Sequence, residues 1–451
     1  MASKKPYAVS TPGKVLLAGG YLILDRKHTG LVFALNARMH VIIKEQENSP
    51  SSATPQITVL SPQFVGAEWQ YNVDGVVAVP FSHAASTARN PFVETTITYT
   101  LAYLQTHNIS IGSTPIQITI LADDGYYTQS QSTKPYGGRF SSFNVPLLSA
   151  HKTGLGSSAA LVTALTAALL GFFHSLSVQT HKLEIHNLAQ AAHCAAQGKV
   201  GSGFDVASAV YGSCLYRRFT PSRLAGIPQP SSPTFPSALQ HIVEGADASI
   251  RLDAEISENA VIIPKHIKLL MCDVDCGSKT PGMVKKVLEW RAKNPEESDA
   301  HWSRIQESID AISQDLTKLA HQEESNPNTD NNSSTDLLAH LQTTISQTRT
   351  HIRQMSEKSH VPIEPPSQTA LLDACSAIPG VIGGVVPGAG GFDAIALLVE
   401  DKEDVVAGLR ELADGWRDPE GVIGRVRVLD VRQEQEGLVV EEVGGYGGWL
   451  E

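Results

Sequence analysis

The chain has 451 residues, too many for one ordinary core and suited to two packed domains. Hydrophobic residues make up 42% and charged residues 18%, a balance that excludes a disordered polymer. Acidic residues outnumber basic ones by 46 to 35, giving a formal charge of −11 with no basic block, so neither nucleic acid nor an anionic membrane is expected as a partner. A small anionic substrate would need lysines and arginines gathered locally around it.

The first ten residues contain Lys4 and Lys5 but no apolar segment, so no secretory signal is read there. Residues 7–10 and 14–18 are strand-like, with Pro12-Gly13 as punctuation between them. Strands are predicted at 31–44, 56–60 and 116–121, and a helix at 92–104. Residues 123–144, polar and aromatic, read as a long loop whose Tyr126 and Tyr127 are candidates to close over a ligand. Helices follow at 158–173 and 182–196, and the apolar run 159–173 is too short for a bilayer and reads as a buried helix. The Pro- and Ser-rich stretch 221–236 is a domain linker or a surface crossing.

The second half restarts with a strand at 267–274 and helices at 281–293, 301–322 and 336–357. A polar insertion at 323–335 separates the last two. A short helix at 367–377, a Gly-rich loop, and strands at 395–399 and 426–431 around a helix at 402–413 complete the chain. Strands and helices mix without strict alternation, so the pattern is α+β, divided as 1–225 and 226–451, with no internal repeat. The five cysteines are odd in number and scattered, which suits a reducing compartment. Cys272 and Cys276 lack the companions of a zinc site. The C-terminal Gly-Trp-Leu-Glu matches no lipidation signal, and the cytoplasm is the expected location.

Three glycine-rich segments carry the chemistry. The strongest is Lys152-Thr153-Gly154-Leu155-Gly156-Ser157-Ser158-Ala159-Ala160. Gly154 and Gly156 free the backbone to approach a ligand, Ser157 is a candidate N-cap, and a strong helix former follows. Such a loop feeding a helix N-terminus binds anions through bare N–H groups and the helix dipole. A serine hydroxyl there could also reach a divalent cation. The alternative is a plain capped core helix. Walker A needs Gly-Lys-Ser/Thr, which does not occur, and the His-Arg-Asp and Asp-Phe-Gly signatures of protein kinases are missing. The second segment, from Pro12-Gly13-Lys14 to Gly19-Gly20-Tyr21, fixes a lysine between a turn and an apolar strand, where its ammonium can meet phosphoryl charge. A surface lysine at a strand edge is the other reading. The third, Gly383 to Asp393, is either a ligand-approaching loop or a hairpin connection.

In this order, the three segments resemble motifs one, two and three of the galactokinase–homoserine kinase–mevalonate kinase–phosphomevalonate kinase (GHMP) superfamily. A fourth, Gly198-Lys199-Val200-Gly201-Ser202-Gly203-Phe204-Asp205, is similar to the wording of its phosphomevalonate kinases, and Gly277-Ser278-Lys279-Thr280-Pro281 looks like their substrate-side loop. The resemblance implies an N-terminal α+β domain with a left-handed crossover, a ferredoxin-like C-terminal domain, and an active site in the cleft between them. It implies ATP and Mg²⁺ as cofactors, 5-phosphomevalonate as the small-molecule acceptor, and a monomer or homodimer. Lys14 and Asp205 are the implied catalytic pair, although Asp205 can also be read as an N-cap. ATP would lie on Lys152, Gly154, Leu155, Gly156, Ser157, Ser158 and Ala159. Mg²⁺ would lie on Ser157, Ser158 and Asp205. The acceptor would meet Tyr21 from motif one, and Lys199, Ser202 and Arg217 from the fourth segment and just beyond it. It would also meet Ser278, Lys279 and Thr280 from the substrate-side loop, and Gly388, Ala389, Gly390, Gly391 and Asp393 from motif three. Lys152, Lys199, Arg217 and Lys279 are the cations expected to grip its charged ends; each is otherwise a surface cation.

Two departures stand out. Many relatives carry Glu where Gly20 precedes Tyr21. Mevalonate kinases also carry a metal-ligating glutamate where this chain has Ala192-His193-Cys194. The competing readings are a kinase of the same superfamily acting on a hydroxyl, the sister decarboxylase, and a nucleotide-binding sensor without catalysis.

Overall fold

A computed structural model describes residues 4–46, 54–80, 88–128, 132–136, 138–245, 247, 249–276, 282–325 and 332–450. Two sheets organise the molecule. The spine of the first is the strand Gly30–Glu45, whose first thirteen residues are buried but for Asn36. It pairs antiparallel with Tyr7–Ala18, Ile116–Ala122, Cys214–Arg217 and Gln433–Glu434. Gln56–Leu60 runs parallel to Ile116–Ala122, and the crossover between them carries the helix Pro91–Thr106. Helices Pro91–Thr106, Ser157–His174 and Lys182–Gln197 pack together, the second of them directly on the sheet. Ser157–His174 is long and apolar enough to cross a bilayer by length and composition. It is apolar on every face because it lies inside the core.

The second sheet has spatial order Val426–Val428, Ile267–Val274, Ala394–Glu400, Val381–Val385, all antiparallel. In chain order this is 4-1-3-2, the ferredoxin-like arrangement. The crossover between its first two strands is enlarged by two long helices, Pro295–Ser325 and Asn332–Ser359, packed side by side. These helices absorb most of the polar insertion expected at 323–335; residues 326–331 of it lie outside the described residues.

The division at 225/226 needs correction. Glu255–Glu258 pairs with Cys214–Arg217, so the first sheet continues past the Pro/Ser-rich stretch. That stretch is a surface crossing with two short helices, Ser222–Ala225 and Phe235–Glu244, and Phe235 is buried against Tyr99. The chain end also returns: Val439–Glu441 pairs with Tyr7–Ala18.

Candidate active site

The strand Tyr7–Ala18 slips register between Pro12 and Gly13 as it pairs with Gly30–Glu45. Just past the slip, the Lys14 amide donates to the Leu155 carbonyl (2.9 Å) and its Nζ donates to the Gly154 carbonyl (3.1 Å). The first two glycine-rich segments are thus joined. Gly156, at φ 84°, presses on the Lys14 side chain, and a Cβ there would stand 2.9 Å from Lys14 Cε. Only glycine satisfies both demands.

Gly156, not Ser157, caps the helix, and Ser157 is its first helical residue. The left-handed turn required at the cap excludes serine, and the glycine offers no side-chain cap. The first in-helix bond is from the Ala160 amide to the Gly156 carbonyl (3.2 Å). The amides of Ser157, Ser158 and Ala159 precede it and are left for an anion. Leu155 is buried and contributes its backbone, and the Ala159 side chain belongs to the core.

Asp205 sits in the first turn of the helix Phe204–Tyr211, whose cap is Gly203 at φ 88°, so the N-cap reading of Asp205 does not hold. The loop before it is fixed by Arg218, which donates to the carbonyls of Val200 (3.1 Å) and Gly201 (2.7 Å). Burial pushes the Lys14 ammonium pKa below its ordinary 10.5, and the charge of Asp205 opposes that shift. Lys14 Nζ also lies 5.6 Å from the Phe204 ring centre.

His193 links these parts, and the sequence reading did not single it out as a site residue. It is buried on the helix Lys182–Gln197. Its Nε2 is 3.2 Å from Ser158 Oγ and 3.0 Å from Gln197 Nε2, and its Nδ1 is 4.0 Å from Asp205 Oδ2. Nε2 has a single lone pair or proton for these two neighbours, so the ring's tautomer decides which of them it bonds. Ser157, Ser158 and Asp205 offer hydroxyl and carboxylate oxygens, the donor type that hard divalent cations take. Among the described residues no three His, Cys, Asp or Glu side chains form a metal cage.

The third segment closes onto the first. The Gly388 amide donates to the Leu16 carbonyl (3.1 Å), and Tyr21 Oη donates to the Ala389 carbonyl (2.6 Å). Tyr21 holds this contact from φ 66°, ψ −47°, strained for a tyrosine. A Cβ on Gly20 would stand 2.0 Å from the Gly388 carbonyl oxygen. The departure at position 20 is therefore steric: a glutamate there cannot coexist with this approach. Gly390 and Gly391 rest against the Ile363 carbonyl.

Between the lobes lies a cavity of about 390 Å³. Lys14, Tyr21, Lys152, Gly154 and Ser202 line it from one side, and Gly388, Ala389, Gly390 and Asp393 from the other. Other expectations are corrected. Arg217 turns away, donating to the Arg26 carbonyl (2.7 Å) and pairing with Glu255 (3.1 Å), because its strand edge faces that carboxylate. Lys199 is exposed just past the helix end at Gly198 and does not line the cavity. Tyr126 and Tyr127 are buried, Tyr127 against Phe64 and Phe143, so they form packing and not a lid. Ser278, Lys279 and Thr280 lie outside the described residues. The sequence reading also missed His151 and Asp273, which meet across the cleft at 3.3 Å.

The GHMP kinases N terminal domain family matches residues 140–213, and the GHMP kinases C terminal family matches residues 338–418. A phosphomevalonate kinase of Aspergillus fumigatus is 45% identical over 98% of both chains. A peroxisomal phosphomevalonate kinase of Arabidopsis thaliana is 32% identical over 96% of this chain and 95% of its own. The solved structure of Streptococcus pneumoniae phosphomevalonate kinase in complex with phosphomevalonate and AMPPNP is similar in fold, with TM-score 0.58 at 18% identity over 93% of this chain and 99% of that one.

Proposed function

The chain belongs to the GHMP kinases, in their phosphomevalonate kinase branch, and from that premise we propose that it transfers the γ-phosphoryl group of ATP to 5-phosphomevalonate, giving ADP and 5-diphosphomevalonate. One observation carries the reading within the site: Lys14 is pinned to Gly154 beside the uncapped helix start at Ser157. A fixed cation and open amides converge where a phosphate chain would lie.

The acceptor is itself a phosphate. Its second pKa is about 6, so at neutral pH it is already largely dianionic and hardly needs a base. The barrier is electrostatic: at ~4 Å and an effective dielectric of about 20, each pair of unit charges repels by about 4 kcal/mol. Positioning and cations must offset this. Lys14 supplies one cation, and Lys152 a second at the cavity wall. The amides of Ser157, Ser158 and Ala159 cradle phosphate oxygens without adding negative charge. Mg²⁺, held by Ser157, Ser158 and Asp205, would neutralise phosphate charge when bound. The charge of Asp205 favours the protonated form of Lys14, and His193 borders both Ser158 and Asp205. Tyr21 and motif three fix the acceptor side.

The five scattered cysteines are free thiols, which suits a reducing compartment. We place the protein in the cytosol, with the peroxisome of the plant relative as the other address.

An ADP-release assay with a panel of acceptors tests the reading. Release is expected with 5-phosphomevalonate and not with mevalonate. Mevalonate as the better acceptor would favour a hydroxyl kinase, and ATP binding without ADP release would favour a sensor.

A further inference from the structure

Strand Ile267–Val274 alternates cleanly. Leu270, Cys272 and Val274 enter the core of the second sheet, while Ile267, Leu269 and Met271 enter the core shared with the first lobe. The next residue on that shared face is Asp273, where the alternation calls for an apolar side chain. Asp273 is 93% buried, lines the interlobe cavity, and meets His151 Nε2 at 3.3 Å from Oδ2. Among the described residues no lysine or arginine lies within ion-pairing distance of it. Burial pushes its pKa up, while His151 and Arg427 pull it down.

A carboxylate in this position is costly, and it stands in a cavity read as taking a polyanion. Against either charged end of the acceptor it would add like-charge repulsion. The acceptor, 5-phosphomevalonate, has a phosphate at one end, a carboxylate at the other and a neutral tertiary hydroxyl between. A hydroxyl donates to a carboxylate, and such charge-assisted bonds are strong in a partly dry site. The imidazole of His151, from the opposite lobe, can hold one carboxylate oxygen and leave the other for the ligand.

We propose that Asp273, oriented by His151, accepts a hydrogen bond from the tertiary hydroxyl of the acceptor and makes that hydroxyl a condition of turnover. The assignment rests on the kinase reading above. It makes Asp273 a specificity-determining residue, contributed by the second lobe and complete only when the two lobes meet.

The test compares 5-phosphomevalonate with its 3-deoxy analogue as acceptors. For the wild type, kcat/KM is expected to fall at least about 30-fold without the hydroxyl, because a site built for a hydrogen bond rejects the analogue that lacks it. Asp273→Val continues the apolar stripe and should fold. In it, the two acceptors are expected to react within about threefold of one another, both slowly, with the KM for ATP unchanged. Asp273→Asn retains an accepting oxygen and should preserve at least about tenfold discrimination. The inference is overturned if Asp273→Val discriminates as the wild type does, or if the wild type is indifferent to the hydroxyl. Wild-type inactivity on both acceptors would instead strike the kinase reading, and this inference with it.

Discussion

At the scale of the residue, the account turns on Lys14. Its ammonium is destabilised by burial and partly rescued by Asp205, so it loses its proton at a lower pH than the ordinary 10.5. The cation is present below the shifted pKa and lost as pH rises through it. The basic limb of kcat/KM, which reports the free enzyme, is therefore expected below 10.5. Bound polyphosphate favours the charged form, so the basic limb of kcat should lie higher. Coincident limbs at the ordinary lysine value would contradict this. Lys14→Met should lower kcat by about 10³-fold, as loss of a preorganised charge does. Asp205→Asn should cost about tenfold less, because a phosphate nucleophile needs little base catalysis. Steady-state kinetics of both variants decide the order, and a deader Asp205→Asn enzyme would reverse the mechanism. Lys14, Gly154 and Gly156 were legible in the sequence because their roles are local: a turn, a left-handed cap, a helix start. His193, His151 and Asp273 were not, because each acts through a partner brought close only by the fold.

At the scale of the element, the two glycine-rich loops of motifs one and three interlock. Gly20 admits the Gly388 carbonyl, and Tyr21 holds Ala389. Gly20→Ala forces a methyl into backbone and is expected to destabilise by about 1–3 kcal/mol, with kcat falling as the cavity wall shifts. Tyr21→Phe removes one hydrogen bond and should cost about 1 kcal/mol. Thermal unfolding ranks them, and a Gly20→Ala protein as stable as the wild type would mean the loops do not lock. The sequence reading found both segments but not their contact. It also misplaced the cap, since a serine at a helix start looks like a cap unless the φ of the preceding glycine is known.

At the scale of the whole molecule, the chain end completes the first lobe. Gln433–Glu434 and Val439–Glu441 extend the first sheet, Arg38 pairs with Glu434 at 2.8 Å, and Gly437 packs on Gly212. Removing residues 432–451 should strip these strands and lower the unfolding temperature by at least about 5 °C, in line with loss of a few kcal/mol from a large domain. Calorimetry checks this, and an unchanged transition would show that the return is ornamental. The α+β character and the ferredoxin-like second lobe could be anticipated, the first from mixed periodicities and the second from the motif resemblance. The lobe boundary could not, because neither the pairing of Glu255–Glu258 with Cys214–Arg217 nor the return of the chain end leaves a local pattern.

The central claim is that fixed cations and bare amides drive phosphoryl transfer onto a phosphate. ³¹P NMR of the protein with Mg·ATP and 5-phosphomevalonate reads it most directly. The account predicts that the acceptor's monoester signal gives way to the paired signals of a new diphosphate ester, in step with ADP, and that Lys14→Met all but abolishes the change. ADP appearing with inorganic phosphate alone, or a new monoester formed from mevalonate, would contradict it.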